Sequence, residues 1–137
     1  MSAAPCDAKW NSRPFPIERI DFWGKRYEQF IAASHIYVGL NDSETGVQKH
    51  VSEKYLSVLK NVCRSYGVPF SVQMIHGGYF HEDGSYTEEN TLMLSLLNVP
   101  EQTVTEIAKD LCAFFHQESV MVTSSPCSVV FVKESLE

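Results

Sequence analysis

The chain has 137 residues, of which 44% are hydrophobic and 20% charged, and these proportions are typical of one folded domain. Its formal net charge is −6. This charge excludes the basic surface that non-specific nucleic-acid binding or attraction to an anionic membrane requires. No apolar run approaches the roughly 18 residues of a transmembrane helix. From the charge we expect no nucleic-acid partner, and from the charge and the apolar runs together no membrane partner.

The N-terminal residues 1–16 contain three prolines and are predicted to form an extended arm ahead of a single domain at residues 17–137. The first residues lack the basic and apolar regions of a signal peptide, so we expect a cytoplasmic protein. Its four cysteines are then expected to be reduced, and none lies in a Cys-x-x-Cys pair. The sequence predicts no cofactor and no metal.

The first half of the chain predicts two helices around one strand. Apolar residues at three- to four-residue spacing predict a helix over residues 17–33, although Gly24 weakens its middle. A run rich in β-forming residues predicts a strand over residues 35–40, and a turn-rich loop follows. An amphipathic helix is predicted over residues 51–66, with Ser52 as its N-cap and Gly67 beyond its end.

The second half predicts a hairpin, a helix and two further strands. The hairpin strands cover residues 70–81 and 86–99, with Asp83 and Gly84 at the turn. A helix is predicted over residues 100–116. Strands follow at residues 119–123 and 127–132, separated by Pro126.

The order of these elements predicts an α+β fold. A ferredoxin-like βαββαβ antiparallel sheet would carry an extra N-terminal helix and a C-terminal edge strand. The face of the sheet away from the two central helices must also be covered. The N-terminal helix or a second subunit could cover it, and we therefore expect a homodimer.

Several short motifs lie in a fixed order along residues 35–132. They are Val38-Gly39-Leu40, the Gly78-Tyr79 pair, Glu89-Asn90-Thr91, Gln117-Glu118-Ser119-Val120, and Cys127 with Phe131. In these motifs the chain resembles a family of small bacterial proteins of unknown function, many of which look like secreted lipoproteins. The chain differs in its extra N-terminal helix, in lacking a lipoprotein signal, and in having Tyr79 where the family has Trp. The resemblance implies the fold and no particular activity.

The predicted hairpin carries the densest group of reactive side chains. Five of them form the predicted partner-binding set: His81, Glu82, Asp83, Glu88 and Glu89. A metal site built from His76, His81 and the neighbouring acids is disfavoured, because a five-residue spacing places the two histidines on opposite faces of a strand. A solvated polar turn is the simplest interpretation of the same residues.

Three functional hypotheses follow. The first is a non-catalytic interaction protein, such as a small acidic inhibitor of the phage or mobile-element type, whose hairpin docks on a basic protein partner. The alternative is a module that binds a nucleotide or metabolite through Tyr37, Tyr79 and Gln117 on an apolar wall. The third is an enzyme in which His81 and Glu89 form an acid–base pair across the hairpin.

Overall fold

The computed structural model describes the backbone of residues 18–20, 26–28 and 31–134, and the side chains of residues 31–134. Within these residues the elements are β1 (Glu18–Ile20), β2 (Arg26–Glu28), β3 (Ile31–Gly39), α1 (Ser52–Tyr66), β4 (Ser71–Phe80), β5 (Tyr86–Leu97), α2 (Glu101–Phe114) and β6 (Met121–Cys127). None of the described helices is long and apolar enough to span a membrane.

The main sheet has four antiparallel strands in the order β4-β5-β3-β6. Helix α1 connects β3 to β4, and α2 connects β5 to β6. This is the βαββαβ order of a ferredoxin-like fold, so the predicted fold class is confirmed.

The hydrophobic core lies between one face of the sheet and the two helices. Alternate side chains of β3 are buried, from Ala32 to Val38, because successive residues of a strand point to opposite faces, and Leu40 directly after the strand is buried too. The core cluster continues through β5 and one side of each helix: Leu92, Leu94, Leu96, Leu59, Val62, Cys63, Val104, Ile107 and Leu111. Burial raises the pKa of the Cys63 thiol to about 11, which suits a packing role rather than a reactive one.

Helix α1 confirms the predicted helix and corrects its N-cap. It ends at Gly67, whose φ of 67° is left-handed and whose N–H bonds back to the carbonyls of Arg64 and Cys63. The N-cap is Val51, with no side-chain bond, so the prediction of Ser52 as the cap is wrong. The Ser52 hydroxyl instead accepts a hydrogen bond from Gln48 Nε2, at 3.2 Å.

The predicted helix over residues 17–33 is wrong wherever the structure describes that segment. Residues of β1 pair with β2 in antiparallel register, from Glu18 opposite Glu28 to Ile20 opposite Arg26, and β3 already begins at Ile31. Gly24 lies between the paired strands in the sequence, and the segment is rich in aromatic and β-branched residues that favour strands. The rest of this segment and the predicted arm at residues 1–16 lie outside the described residues.

The C-terminal strands also differ from the prediction. One strand, β6, replaces the two predicted at residues 119–123 and 127–132, and residues 128–134 are in no strand. Pro126 does not interrupt β6 but lies inside it, opposite Ala32 of β3. An edge strand tolerates proline, which has no backbone N–H, at positions where an N–H would point away from the sheet and have no partner in it.

The second face of the sheet carries polar and apolar residues that are half-buried on β3 and mostly half-buried on β5, but mostly exposed on β4 and β6. In β3, His35 lies between Ser95 and Thr123, and Tyr37 lies between Met93 and Met121. The helices α1 and α2 pack on the other face, with the core. The homodimer expected to cover this second face stays a prediction.

We expect Leu111→Ala to destabilise the domain by about 2–5 kcal/mol, because it leaves a cavity among fully buried side chains. Phe114→Ala is the matched control, since Phe114 lies on the same helix with 64% of its surface exposed. Urea unfolding followed by circular dichroism measures both. Equal losses of unfolding free energy in the two variants would contradict the placement of the core.

Candidate functional site at the base of the β4–β5 arm

The hairpin of β4 and β5 extends beyond the strand beside it. β3 ends at Gly39, opposite Thr91 of β5. The pairing of β4 with β5 continues past that point, from His76 opposite Asn90 to Phe80 opposite Tyr86. Residues 76–90 therefore project from the sheet as a two-stranded arm.

A groove of about 560 Å³ lies at the base of this arm. One face of the arm forms one wall, and the loop after β3 together with the segment before β6 forms the other. The lining residues are Asn41, Asp42, Ser43, Gly46, Tyr79, His81, Thr87, Glu89, Gln117, Glu118 and Ser119. Among the described residues, the lining includes three acids and no lysine or arginine, so this lining is electronegative.

Glu89 projects its carboxylate over the end of β3. Its Oε2 accepts a hydrogen bond from the backbone N–H of Asn41, at 3.1 Å. A Cβ atom on Gly39 would lie only 2.6 Å from that same oxygen. Glycine at position 39 therefore provides the space that the Glu89 side chain occupies.

Asn41 joins the three segments that surround the groove. Its carbonyl oxygen accepts a hydrogen bond from Gln117 Nε2 at 2.6 Å, and its Nδ2 donates to the carbonyl oxygen of Glu88 at 3.3 Å. Gln117 Nε2 also donates to the carbonyl oxygen of Phe115, at 3.3 Å. These bonds hold the loop after β3 against both the arm and the end of α2.

Asp42 organises the loop itself. The residue is buried, and its carboxylate accepts a hydrogen bond from the Glu44 backbone N–H at 2.9 Å, while Lys49 Nζ lies 3.3 Å away. The Glu44 N–H and the Lys49 ammonium hold the pKa of Asp42 below its ordinary value, although partial burial opposes them. Asp42 is thus an ionised anchor of the loop.

Asp42, Glu44 and His116 also have ligand atoms within 4.8 Å of one another. These are the described residues that could hold a metal ion together. Lys49 already neutralises the Asp42 carboxylate in this arrangement, and His116 Nδ1 lies 3.6 Å from it.

Two rings form the arm side of the groove. The centroids of Tyr79 and His81 are 5.0 Å apart, and His81 Nε2 lies 2.7 Å from Thr87 Oγ1. Tyr79 is 47% exposed, so part of this residue is accessible from the groove that it lines.

The structure brings together residues from the ligand-binding, partner-binding and acid–base hypotheses of the sequence analysis. Tyr79 and Gln117 of the predicted ligand site line the groove with His81 and Glu89. Tyr37 does not line the groove: it shares the sheet face of Glu89 but lies further along β3, opposite Met93. His81 and Glu89 are not hydrogen-bonded to each other: Glu89 bonds Asn41 and lies opposite Gly77, while His81 bonds Thr87.

The remaining residues of the predicted partner-binding set lie elsewhere on the arm. Glu88 is on the opposite face, where His76 Nε2 lies 2.8 Å from its Oε1. Hydrogen bonding to Glu88, aided by Asn90, raises the pKa of His76. Glu82 and Asp83 are in the turn, where Asp83 Oδ1 accepts from the backbone N–H of Ser85 at 2.9 Å.

Sequence reasoning missed Gly39, Asn41, Asp42 and Ser119 as parts of the site. The available signal was the polar Asn41-Asp42 pair directly after a buried strand, since such strand ends often carry functional side chains. The sequence alone does not distinguish this Asn-Asp pair from an ordinary turn, because the same residue types are common in turns.

No protein-family model and no curated protein matches the chain, so the resemblance to a bacterial family stays a prediction. Solved structures do match. A phage SAM lyase in complex with S-methyl-5'-thioadenosine is 18% identical, with a TM-score of 0.54 over 75% of this chain and 93% of the lyase chain.

Two further structures are similar at lower scores. The B. subtilis GlnK–ATP complex is 16% identical, with a TM-score of 0.48 over 73% of this chain and 83% of that chain. CutA from Synechococcus elongatus is 12% identical, with a TM-score of 0.48 over 84% of this chain and 87% of that chain. At these identities the similarities concern the fold.

We expect Asp42→Asn to destabilise the protein at neutral pH and to matter less in acid. A carboxylate whose folded pKa is lowered stabilises the fold above its unfolded pKa, and this contribution is lost as pH falls through the folded pKa. The difference in urea midpoint between wild type and Asp42→Asn should therefore shrink between about pH 6 and about pH 3. Glu44→Gln is the control, and a difference that does not change with pH would contradict the anchoring role.

Proposed function

We propose that the protein binds a sulfonium nucleoside of the S-adenosylmethionine class in the groove and cleaves its carbon–sulfur bond. The observation that carries this proposal is the half-buried Glu89 carboxylate, held by Asn41 over Gly39 inside a groove of about 560 Å³. Pockets for small ligands usually measure about 300–1,000 Å³.

The charge of the groove favours a cation. Asp42, Glu89 and Glu118 line it, and none of the lining residues that the structure describes is a lysine or arginine. Lys49 offsets Asp42 from outside the lining, whereas Glu89 receives a neutral backbone N–H. Glu89 is therefore the carboxylate best placed to attract a sulfonium group, because attraction strengthens where water is partly excluded.

The other lining residues suit the nucleoside. The exposed side of Tyr79 offers a ring on which a base can stack, a contact worth about 1–3 kcal/mol per base in other proteins. Thr87, Gln117 and Ser119 place polar groups along the groove where ribose hydroxyls and base edges could bond.

The choice of ligand class is supported by the phage SAM lyase, which shares the fold over 93% of its own length. Its bound S-methyl-5'-thioadenosine is what remains of S-adenosylmethionine after the four-carbon amino-acid group has left. Such a cleavage turns a cation into a neutral thioether, so the Glu89 carboxylate would hold substrate more tightly than product.

The proposed step balances without a cofactor. The bond between the sulfur and the γ-carbon of the amino-acid group breaks, and its electron pair stays on sulfur. The carboxylate of the substrate attacks that carbon and closes a lactone, so no proton is gained or lost. The protein then acts by positioning the reacting groups, which is effective for an intramolecular attack and requires no paired acid and base.

We expect S-adenosylmethionine and S-methyl-5'-thioadenosine to bind saturably in calorimetry. Glu89→Gln should weaken binding of the sulfonium ligand about tenfold, after allowance for the partial exposure of the site, and should weaken the neutral thioether much less. Glu88→Gln is the matched control, since it removes the same charge from the adjacent residue on the opposite face of the arm. Equal effects of the two substitutions, or no binding of either ligand, would overturn the proposal.

Mass spectrometry of the products tests the chemical step separately. Incubation with S-adenosylmethionine should release S-methyl-5'-thioadenosine and homoserine lactone. Binding without turnover would reduce the proposal to a ligand-binding module. An alkene in place of the lactone would show that a proton is removed, and would revive an acid–base role for Glu89.

A second candidate is the interaction protein that the sequence predicts, with the tip of the arm as its docking surface. The rings of Phe80 and Tyr86 pack at a tilt with centroids 4.9 Å apart, and the two residues remain 74% and 53% exposed. They lie beside Glu82 and Asp83, so the tip combines an aromatic pair with acidic charge. Exposed aromatic residues are enriched in protein interfaces.

Charge-neutralising variants separate the two candidates, because the structure divides the acidic residues of the arm. Glu82→Gln with Asp83→Asn should abolish capture of a basic protein partner if the tip docks, while the amide oxygen introduced at position 83 can still accept the turn bonds of Ser85. Glu89→Gln should leave that capture unchanged. Pull-down from host lysate is the measurement, and capture that survives the double substitution would exclude the tip.

A further inference from the structure

The segment that follows β6 is an apolar run without a place in the sheet. Residues 128–132 read Ser-Val-Val-Phe-Val, a composition strongly typical of strands. They are in no strand, and Val130, Phe131 and Val132 are 44%, 79% and 73% exposed. Exposed β-forming runs of this kind readily pair with the edge of another sheet.

The outer edge of β4 offers such a place. β4 is the terminal strand of the four-stranded sheet, and β5 is the only strand of the described chain that pairs with it. Beside it, the start of α1 leaves a groove of about 320 Å³. The groove is lined by Leu56, Val72, Met74 and Leu92, with Ser52, Glu53 and Gln73 at its rim.

The segment of the same chain cannot pair along this edge. β6 and β4 are the two opposite ends of the sheet. The distance from β6 to a new strand outside β4 is four strand spacings, or about 19 Å. Crossing that distance takes about six extended residues, which uses up residues 128–133 before any pairing could begin.

The outer edge of β6 is a poor alternative. The chain would have to reverse immediately after Cys127, so the turn itself would use part of the apolar run at residues 128–132. Pro126 also lies in β6 and supplies no N–H to a new neighbour.

We propose that residues 128–133 of one copy add as a fifth strand to the outer edge of β4 in a second copy. Alternate side chains of the added strand enter the apolar groove between β4 and α1, and Lys133 approaches the acidic rim at Glu53. A reciprocal exchange of the two segments closes a two-fold symmetric dimer with two identical joints. Main-chain hydrogen bonds along β4 and side chains in the groove are the recognised basis of strand addition.

The oligomeric mass tests the proposal on both sides of the joint. By sedimentation velocity at tens of micromolar, the full chain should be a dimer. A chain that ends at Cys127, Phe131→Asp and Met74→Asp should each be monomeric. Phe114→Asp is the matched control, an exposed apolar residue on α2 away from the β4 edge, and it should remain dimeric.

A mixing experiment distinguishes this joint from any other interface. The shortened chain retains the β4 edge and Met74→Asp retains the segment, so a mixture of the two should form a mixed dimer through one joint. Native mass spectrometry with one partner labelled with ¹⁵N detects it. Circular dichroism confirms that each variant is folded.

If Met74→Asp does not fold, hydrogen exchange of the unaltered chain supplies the acceptor-side test. The β4 amides should become more protected as protein concentration rises, and this change should be absent in the shortened chain. A monomeric full chain, or a shortened chain that keeps the dimer mass, would overturn the proposal.

Discussion

The end of β3 at Gly39 is the constraint on which the candidate site depends. β4 and β5 continue beyond it, so the arm leaves the sheet at the point where the third strand stops supporting it. Because Gly39 has no side chain, the Glu89 carboxylate fits above it. The backbone N–H of Asn41, two residues further on, donates a hydrogen bond to this carboxylate. The offset between the end of β3 and the ends of the hairpin strands thus creates both the groove and its central charge.

The alternation of side chains in a strand gives adjacent acids of the arm different roles. Glu88 and Glu89 are neighbours in sequence, yet one bonds His76 on the outside of the arm and the other lines the groove. The two carboxylates therefore have different roles. Glu88 links the two strands of the arm through His76, whereas Glu89 gives the groove a negative charge that favours a cation.

The sequence predicts the parts of the fold that depend on local patterns. The period of α1, the Gly67 stop and the Asp83–Gly84 turn are local features, and the structure has all three. In the described part of residues 17–33 the predicted helix is wrong, because an apolar spacing of three to four residues does not exclude strands when aromatic and β-branched residues dominate. The groove could not be predicted in the same way, since Asn41, Glu89 and Gln117 meet only through tertiary packing.

The electronegative groove and the start of the C-terminal segment lie at opposite ends of the sheet. The groove is beside Gly39 at the end of β3, whereas Cys127 pairs with Ile31 at its beginning. The nine residues of β3 separate these points by about 26 Å. The acceptor groove beside β4 likewise involves Val72 and Met74, before the arm begins at residue 76. Strand addition at that edge would therefore leave the electronegative groove open, so association and ligand binding can use the same sheet without competing for its surface.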